Sequence, residues 1–116
     1  MVQQMASAQR TLVKSQPELW QLVDQTERLE GWSSGLLGHA AEISMTERDP
    51  EVKVAWEASA AEELASIEIV LRQDGWGTTV AIEAEREGAT PTQLEGWLDA
   101  VLDELAEPEK RPFQGV

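Results

Sequence analysis

The segment from Thr90 to Leu105 constrains the fold most, because it has the pattern of one long amphipathic helix. Thr90 is a suitable N-cap, Pro91 fits the first helical position, and Gln93 completes a capping box. Large apolar residues then recur at the spacing of one helical face: Leu94, Trp97, Leu98, Val101, Leu102 and Leu105. Such a face must be buried, so we expect this helix to anchor the core and to end before Pro108.

Alternating apolar residues predict two antiparallel hairpins ahead of this helix. The four predicted strands run over residues 41–46, 52–58, 66–72 and 76–84. The turn signals between them are Asp49-Pro50-Glu51 and Asp74-Gly75, and the second is typical of tight hairpins. In the second hairpin a slip of one residue would bury Glu68 and Glu83, so the period of two fixes its register.

A short strand and two short helices are predicted before the first hairpin. Residues 10–14 have the apolar, β-branched centre of a strand. Ser15 and Glu18 form a capping box, which predicts that a helix starts there. A second helix is predicted from Gln25 to Trp32, and the glycines and serines of residues 33–38 predict a loop after it.

The predicted order of elements is β, α, α, β, β, β, β, α, which contains no recurring βαβ crossover. We therefore expect an α+β fold in which an antiparallel sheet of about five strands wraps around the long C-terminal helix. The predicted domain spans residues 10–107, after a flexible N-terminal arm of residues 1–9 and before a C-terminal tail of residues 108–116. The tail contains Lys110-Arg111-Pro112-Phe113, which either folds back onto the acidic surface of its own chain, frays or serves as a docking peptide.

The charge balance excludes two classes of partner. Lys and Arg number 9 and Asp and Glu number 22, which gives a formal net charge of −13. A polyanion repels phosphate backbones and anionic lipid, so we expect neither a nucleic acid nor a membrane as partner. The chain has no cysteine, no apolar run of bilayer length and no signal-peptide pattern near its first residue, which favours a cytoplasmic location.

The residues that carry most enzyme chemistry are scarce. His39 is the one histidine, and without cysteine or a second histidine no metal site is expected. Ser33 and Ser34 lie near it in sequence but lack the Gly-x-Ser-x-Gly pattern of a nucleophile elbow. Neighbouring carboxylates such as Glu62 and Glu63 are typical of a solvated surface in so acidic a chain. The sequence therefore predicts no cofactor and no catalytic residue, and leaves catalysis open while favouring its absence.

Several segments in a shared order carry a resemblance to a known superfamily. They are residues 11–20 (Thr-Leu-Val-Lys-Ser-Gln-Pro-Glu-Leu-Trp), Glu27-Arg28-Leu29-x-x-Trp32, Val54-Ala55-Trp56-Glu57, residues 75–80 (Gly-Trp-Gly-Thr-Thr-Val) and the closing helix. Over residues 10–107 the chain resembles the START-related superfamily, also called SRPBCC or polyketide cyclase/dehydrase proteins, which have the helix-grip fold.

This resemblance implies a curled antiparallel sheet that encloses an apolar ligand pocket against the last helix. Typical members have a longer sheet than the one predicted here, so a shallower pocket, or one filled by tryptophan side chains, is expected. The superfamily has no universal catalytic residues, and none is carried over to this chain.

The five tryptophans indicate where such a pocket would lie. The predicted ligand-binding residues are Trp20, Trp32, Met45, Trp56, Ile69, Ile82, Trp97 and Val101. The alternative is that these side chains simply fill the core. Because Trp97 lies on the apolar face of the C-terminal helix, we expect Trp97→Ala to cost about 3–5 kcal/mol of stability. Trp76, directly after the tight turn, is predicted to cap the end of the sheet.

Three functional hypotheses follow from the sequence. The first is a START-like binding module for a small apolar ligand between the sheet and the C-terminal helix. The second is a cavity-poor, co-chaperone-like domain that binds a protein partner through its acidic surface or its tail. The third is an enzyme of the polyketide cyclase/dehydrase type that acts mainly by positioning its substrate. The sequence does not determine the oligomeric state.

Overall fold

Five strands and three helices follow one another in the predicted order in the computed structural model, which describes residues 3–107. The elements are β1 (Gln3–Leu12), α1 (Gln16–Val23), α2 (Thr26–Leu37), β2 (Glu42–Asp49), β3 (Lys53–Ala60), β4 (Glu63–Asp74), β5 (Gly77–Glu87) and α3 (Pro91–Ala106). The strands form one antiparallel sheet in the order β1-β5-β4-β3-β2, with β1 beside β5. The predicted α+β class and five-stranded antiparallel sheet are therefore confirmed.

The β4–β5 hairpin has the register that the alternation predicts. Ile69 pairs with Ile82 on the buried face, and Glu68 pairs with Glu83 on the opposite face. Gly75 in the connecting turn has a φ of +61°, a conformation that glycine adopts without a steric penalty. The alternation of apolar and polar residues therefore predicted this register correctly, because a slip of one residue would have buried the two carboxylates.

The strand β1 is longer than predicted, so the proposed flexible arm is wrong over residues 3–9. Backbone pairing with β5 runs from Gln3 opposite Glu87 to Leu12 opposite Thr78. The half-buried side chains along this part of β1 are small or polar, such as Ala6 and Ala8, so they produce no strong hydrophobic period. Pairing with β5 forms the strand here, which is a tertiary effect. Residues 1–2 and the predicted tail, residues 108–116, lie outside the described residues.

The helix α2 continues to Leu37, so the predicted loop over residues 33–37 is wrong. Gly38 ends the helix in a left-handed conformation, with a φ of +79°. The hydroxyls of Ser33 and Ser34 donate to the carbonyls one turn earlier, at distances of 2.7 and 2.8 Å, so both serines are satisfied inside the helix. The buried residues of α2 have helical spacing: Leu29, Trp32, Ser33, Leu36 and Leu37.

The helices α1 and α3 start where their capping boxes predict. Ser15 and Glu18 exchange hydrogen bonds at the start of α1, and Thr90 and Gln93 do the same at the start of α3. The buried stripe of α3 consists of Leu94, Leu98, Val101, Leu102 and Leu105. Trp97 lies at the edge of this stripe and is only partly buried.

The three helices pack on the same face of the sheet. α3 packs on β1 and β5, while α1 packs on β4 and α2 packs on β2, β3 and β4. The core lies between the helices and the sheet, and α2 occupies the half that α3 leaves uncovered. Because α3 and the α1–α2 pair lie side by side, a groove opens between them near the C-terminal end of α3.

The end of the sheet near the β4–β5 turn is not capped as predicted. Trp76 is fully exposed, at 101% of its reference surface, and Val13 is 93% exposed. The predicted capping role of Trp76 is therefore wrong.

Candidate functional site

Most of the predicted ligand-binding residues lie in a single core cluster. The buried ones are Trp20, Trp32, Trp56, Ile69, Ile82 and Val101. Trp97 packs against this cluster while partly exposed. Met45 lies opposite Trp56 in register, but it is 41% exposed because β2 is the edge of the sheet. The structure therefore brings seven of these side chains together and leaves Met45 at their rim; ligand entry among them stays a prediction.

Trp56 is held between β3 and α2 by a buried polar chain. Its indole Nε1 donates to the hydroxyl of Ser33 at 2.8 Å, and that hydroxyl donates to the Leu29 carbonyl at 2.7 Å. A buried indole N–H needs such a partner, because an unpaired buried donor costs free energy. The polar chain fixes Trp56 under α2, in the space that a ligand between the sheet and the helices would need.

A second polar cluster, which we call the α2–α3 clasp, consists of Arg28, Trp32, Trp97 and Glu104. Glu104 Oε2 accepts hydrogen bonds from Arg28 Nη1 at 2.6 Å and from Trp32 Nε1 at 3.1 Å. The Arg28 guanidinium lies 6.0 Å from the centre of the Trp32 ring, and Trp97 Nε1 donates to the Trp32 carbonyl at 2.8 Å. The clasp ties α2 to α3 through both side chains and backbone.

The groove beside this clasp, which we call the helix groove, has a volume of about 790 Å³. Its lining residues are Lys14, Glu18, Gln21, Leu22, Gln25, Arg28, Ala100, Asp103, Glu104 and Glu107. A volume of this size falls within the range of known small-molecule sites, about 300–1,000 Å³. Leu22 and Ala100 supply an apolar surface, and the rest of the lining is polar or charged.

The helix groove carries a negative balance of charge, because its lining has four carboxylates and two cations. Both cations contact α3: Arg28 binds Glu104, and Lys14 Nζ donates to the Glu107 carbonyl at 2.6 Å. Asp103 Oδ1 binds Arg10 at 2.7 Å. Within residues 3–107, the hydrogen bonds of Asp103 and Glu104 use one oxygen each, so a second oxygen of each remains for another donor.

Sequence reasoning missed this groove and its charged residues. Arg28 and Trp32 are four positions apart on one helix, which is a local signal for a contact between them. Nothing local connects Arg28 to Glu104, which follows 76 positions later in the chain. Leu22, on α1, is only half-buried and lines the groove.

A second depression, of about 430 Å³, lies on the face of the sheet opposite the helices. Its lining residues are Ser7, Ala8, Gln9, Glu68, Val70, Ala81, Ile82 and Glu83. The paired carboxylates Glu68 and Glu83 lie directly across from each other there. Lys53 partly balances them, because its Nζ lies 3.5 Å from Glu68 Oε2.

A salt bridge joins the end of α1 to the edge strand β2. Arg48 donates to both carboxylate oxygens of Asp24, at 2.9 and 2.6 Å, and its guanidinium lies 5.3 Å from the centre of the Trp20 ring. These hydrogen bonds, together with the positive charge of Arg48 and a contribution from Trp20, hold the pKa of Asp24 below its ordinary value. The bridge ties the end of α1 to β2.

Acid should weaken this bridge. Because folding lowers the pKa of Asp24, its contribution to stability is present above the ordinary aspartate pKa of about 3.9 and is lost as the pH falls through the folded-state pKa. We expect Asp24→Asn to destabilise the protein modestly at neutral pH, as is usual for exposed pairs, and less once the pH has fallen below the folded-state pKa of Asp24. Urea denaturation of both proteins across this range measures the difference. Asp99→Asn, an exposed change on α3, is the control, and a constant difference at all pH values would contradict the assignment.

Within residues 3–107 no helix combines the length and hydropathy of a bilayer span. The same part of the chain holds no group of three or more His, Cys, Asp or Glu side chains placed to bind a metal ion. His39 is exposed in the connection between α2 and β2.

This arrangement of sheet and helices also occurs in solved structures. DynU16, a protein of the dynemicin biosynthetic locus, is 13% identical with a TM-score of 0.65, and the match covers 88% of this chain and 45% of that one. CalU16 from Micromonospora echinospora is 12% identical with a TM-score of 0.59, covering 93% and 88%. The Aha1 dimer from Colwellia psychrerythraea is 15% identical with a TM-score of 0.62, covering 91% and 97%.

These neighbours have helix-grip folds, with a sheet against a long C-terminal helix. The chain has the helix-grip fold. At identities this low the likeness concerns the fold alone, because one fold serves many functions. A search with the sequence finds no matching family model and no matching curated protein. The function must therefore be argued from the geometry of this helix-grip domain.

Proposed function

We propose that this helix-grip domain is a binding module that takes a small amphipathic molecule in the helix groove. The observation that carries the proposal is the groove itself, about 790 Å³ between α1, α2 and α3. The interior, by contrast, is occupied by packed side chains, of which Trp56 is only 1% exposed. The groove needs no rearrangement to admit a ligand, whereas a ligand in the interior would have to displace core side chains.

The chemistry of the lining favours a ligand with an apolar body and a cationic head. Leu22 and Ala100 offer an apolar surface to the body of such a ligand. Asp103 and Glu104, which face the same groove, each have an oxygen left for an ammonium group. An anionic head would instead meet a surplus of carboxylates, and Arg28 and Lys14 are already engaged by α3.

The interior site predicted from the sequence and an activity of the cyclase/dehydrase type both stay predictions. DynU16 belongs to a biosynthetic locus, and this is the reason for retaining the enzyme hypothesis. Neither hypothesis has a specific observation of geometry in its favour among residues 3–107. Turnover assays become informative once a ligand of the groove is identified.

Three eight-carbon compounds that differ only in their heads test the proposal: octylamine, octanoate and 1-octanol. We expect octylamine to raise the melting temperature in a saturable way, 1-octanol to act more weakly, and octanoate to have the least effect. A ligand that binds only the native state must stabilise it by mass action. Tryptophan fluorescence reports binding in parallel, because Trp32 bonds directly to Glu104 of the groove.

A pair of leucine variants locates the site of binding. Leu22→Ser removes an apolar side chain from the helix groove and should weaken octylamine binding several-fold. Leu64→Ser removes a leucine that is 64% exposed on β4, away from the groove, and should leave binding unchanged. Equal effects of both changes, or equal binding of all three compounds, would refute the assignment of the site.

The second candidate function, a protein-interaction domain, is favoured by the apolar end of the sheet. Trp76 and Val13 are almost fully exposed there, and tryptophan is enriched among residues that dominate protein interfaces. A basic partner fits better than a second copy, since two chains of charge −13 repel each other. Sedimentation velocity at low and moderate salt is expected to show monomers; a dimer that Trp76→Ser dissociates would indicate self-association instead.

A further inference from the structure

The chain leaves α3 at the rim of the helix groove. Glu107 lines the groove and is the C-cap residue after α3, with its backbone in an extended conformation (φ −64°, ψ 142°). Lys14 fixes this point through its hydrogen bond to the Glu107 carbonyl. The sequence continues as Pro108-Glu109-Lys110-Arg111-Pro112-Phe113.

We propose that residues 108–113, which we call the basic segment, bind in the helix groove of their own chain. They would form an internal occupant that an external ligand of the groove has to displace. The segment would thereby regulate the site of the proposed function, although its binding does not itself require that a small ligand binds there.

Charge is the first argument for this occupant. The lining of the groove has two more carboxylates than cations, and the basic segment offers Lys110 and Arg111 side by side. The side chains of Asp103 and Glu104 are 71% and 42% exposed, so each still presents its second oxygen to an incoming donor. A guanidinium or ammonium group at that place relieves the repulsion between these carboxylates.

Reach is the second argument. An extended chain spans about 3.3–3.6 Å per residue, so Lys110 can lie about 10 Å from Glu107. Asp103 is only about 6 Å back along α3, and Ala100 about 10 Å back, at 1.5 Å per residue. The segment is therefore long enough to turn back and place Lys110 or Arg111 beside Asp103.

The apolar part of the groove is the third argument. Phe113 is the one phenylalanine of the chain, and it follows the two basic residues closely. Leu22 and Ala100 supply an apolar surface of matching character in the groove. Pro108 and Pro112 have fixed φ angles, which lowers the conformational entropy that the segment loses on binding.

A spin label on the full-length chain tests this placement. The chain has no cysteine, so Gln114→Cys provides a single attachment point for a nitroxide. We expect the amide signals of Leu22 and Ala100 to relax several-fold faster than those of β2, on the far side of α2. Raising the salt to about 1 M, where the Debye length is about 3 Å, should abolish most of this difference.

Matched variants of the basic segment test the role of charge. Lys110→Glu with Arg111→Glu should remove the enhanced relaxation at the groove, whereas Lys110→Arg with Arg111→Lys should keep it. Phe113→Ala should reduce it in part. The proposal would be overturned if the charge-reversed variant (both residues changed to Glu) and the charge-conserving variant relaxed the groove amides equally. It would also be overturned if the fastest relaxation lay away from the groove.

Two further outcomes separate the alternatives. A spin-labelled chain mixed with an isotope-labelled chain that lacks the cysteine should produce no broadening; broadening there would mean that the segment binds a second copy. In the spin-labelled chain, octylamine should reduce the broadening at Leu22 and Ala100. If the basic segment occupies the groove but octylamine does not bind there, the contact between the segment and the groove is supported. The small-ligand function, and with it the regulatory role of the segment, is then refuted.

Discussion

Trp56→Ala is expected to lower the free energy of unfolding by about 3–5 kcal/mol, the usual cost of deleting a large aromatic side chain from a core. Trp56 is only 1% exposed and has one of the largest fully buried side chains of the described residues. The change leaves a cavity under α2. It also removes the indole N–H that donates a hydrogen bond to the buried Ser33 hydroxyl. Chemical denaturation followed by circular dichroism measures the loss.

Trp97→Ala is the matched control for this prediction. Trp97 is partly exposed at the edge of the α3 stripe, so less apolar surface is lost than the sequence suggested. Its one hydrogen bond, to the Trp32 carbonyl, lies in the α2–α3 clasp. We expect a cost of about 1–2 kcal/mol, below the 3–5 kcal/mol expected for a fully buried residue. A larger loss for Trp97→Ala than for Trp56→Ala would contradict the packing described.

Gly77→Ala should destabilise the protein by about 2–4 kcal/mol, through backbone overlap rather than through lost contacts. A Cβ atom at Gly77 would overlap the carbonyl oxygen of Leu12 and lie 3.1 Å from its carbonyl carbon. Neither atom belongs to a flexible side chain, so the end of β1 would have to move away from β5. That movement would weaken the pairing between Leu12 and Thr78, the last pair of these two strands.

Gly96→Ala is the control with the opposite expected sign. Gly96 lies within α3, and a Cβ there would meet nothing within 4 Å. Alanine in place of glycine inside a helix stabilises by about 0.5–1 kcal/mol. Thermal or urea denaturation of both variants measures the two effects. A neutral Gly77→Ala would show that β1 does not approach the β4–β5 turn as closely as described.

Elements with a strong local signal were predicted correctly. The capping boxes at Ser15 and Thr90 marked the starts of two helices, because a cap is formed by residues that are three positions apart. The β4–β5 hairpin was predicted with its register, because the turn dipeptide and the alternation of apolar residues agree. In these segments the information that determines structure lies within a few residues.

Two elements were predicted too short because their local signals are weak or misleading. Residues 3–9 of β1 show little hydrophobic alternation, and they are a strand because β5 offers them a pairing edge. The glycines and serines of α2 are typical of loops, yet Leu36 and Leu37 repeat the spacing of Leu29 and Trp32. The burial of that face under β3 and β4 outweighs the poor helix propensity of the intervening residues.

The sequence by itself determined the class of fold, the antiparallel pairing and most of the core, because hydrophobic periods and caps act locally. Seven of the eight side chains predicted to bind a ligand do lie in or against one core. The helix groove was decided only by tertiary structure, since its walls come from residues as far apart as Lys14 and Glu107. The placement of α2 beside α3, where Arg28 binds Glu104, forms part of the wall of this groove. No local pattern encodes that placement, because it results from how three helices share one sheet.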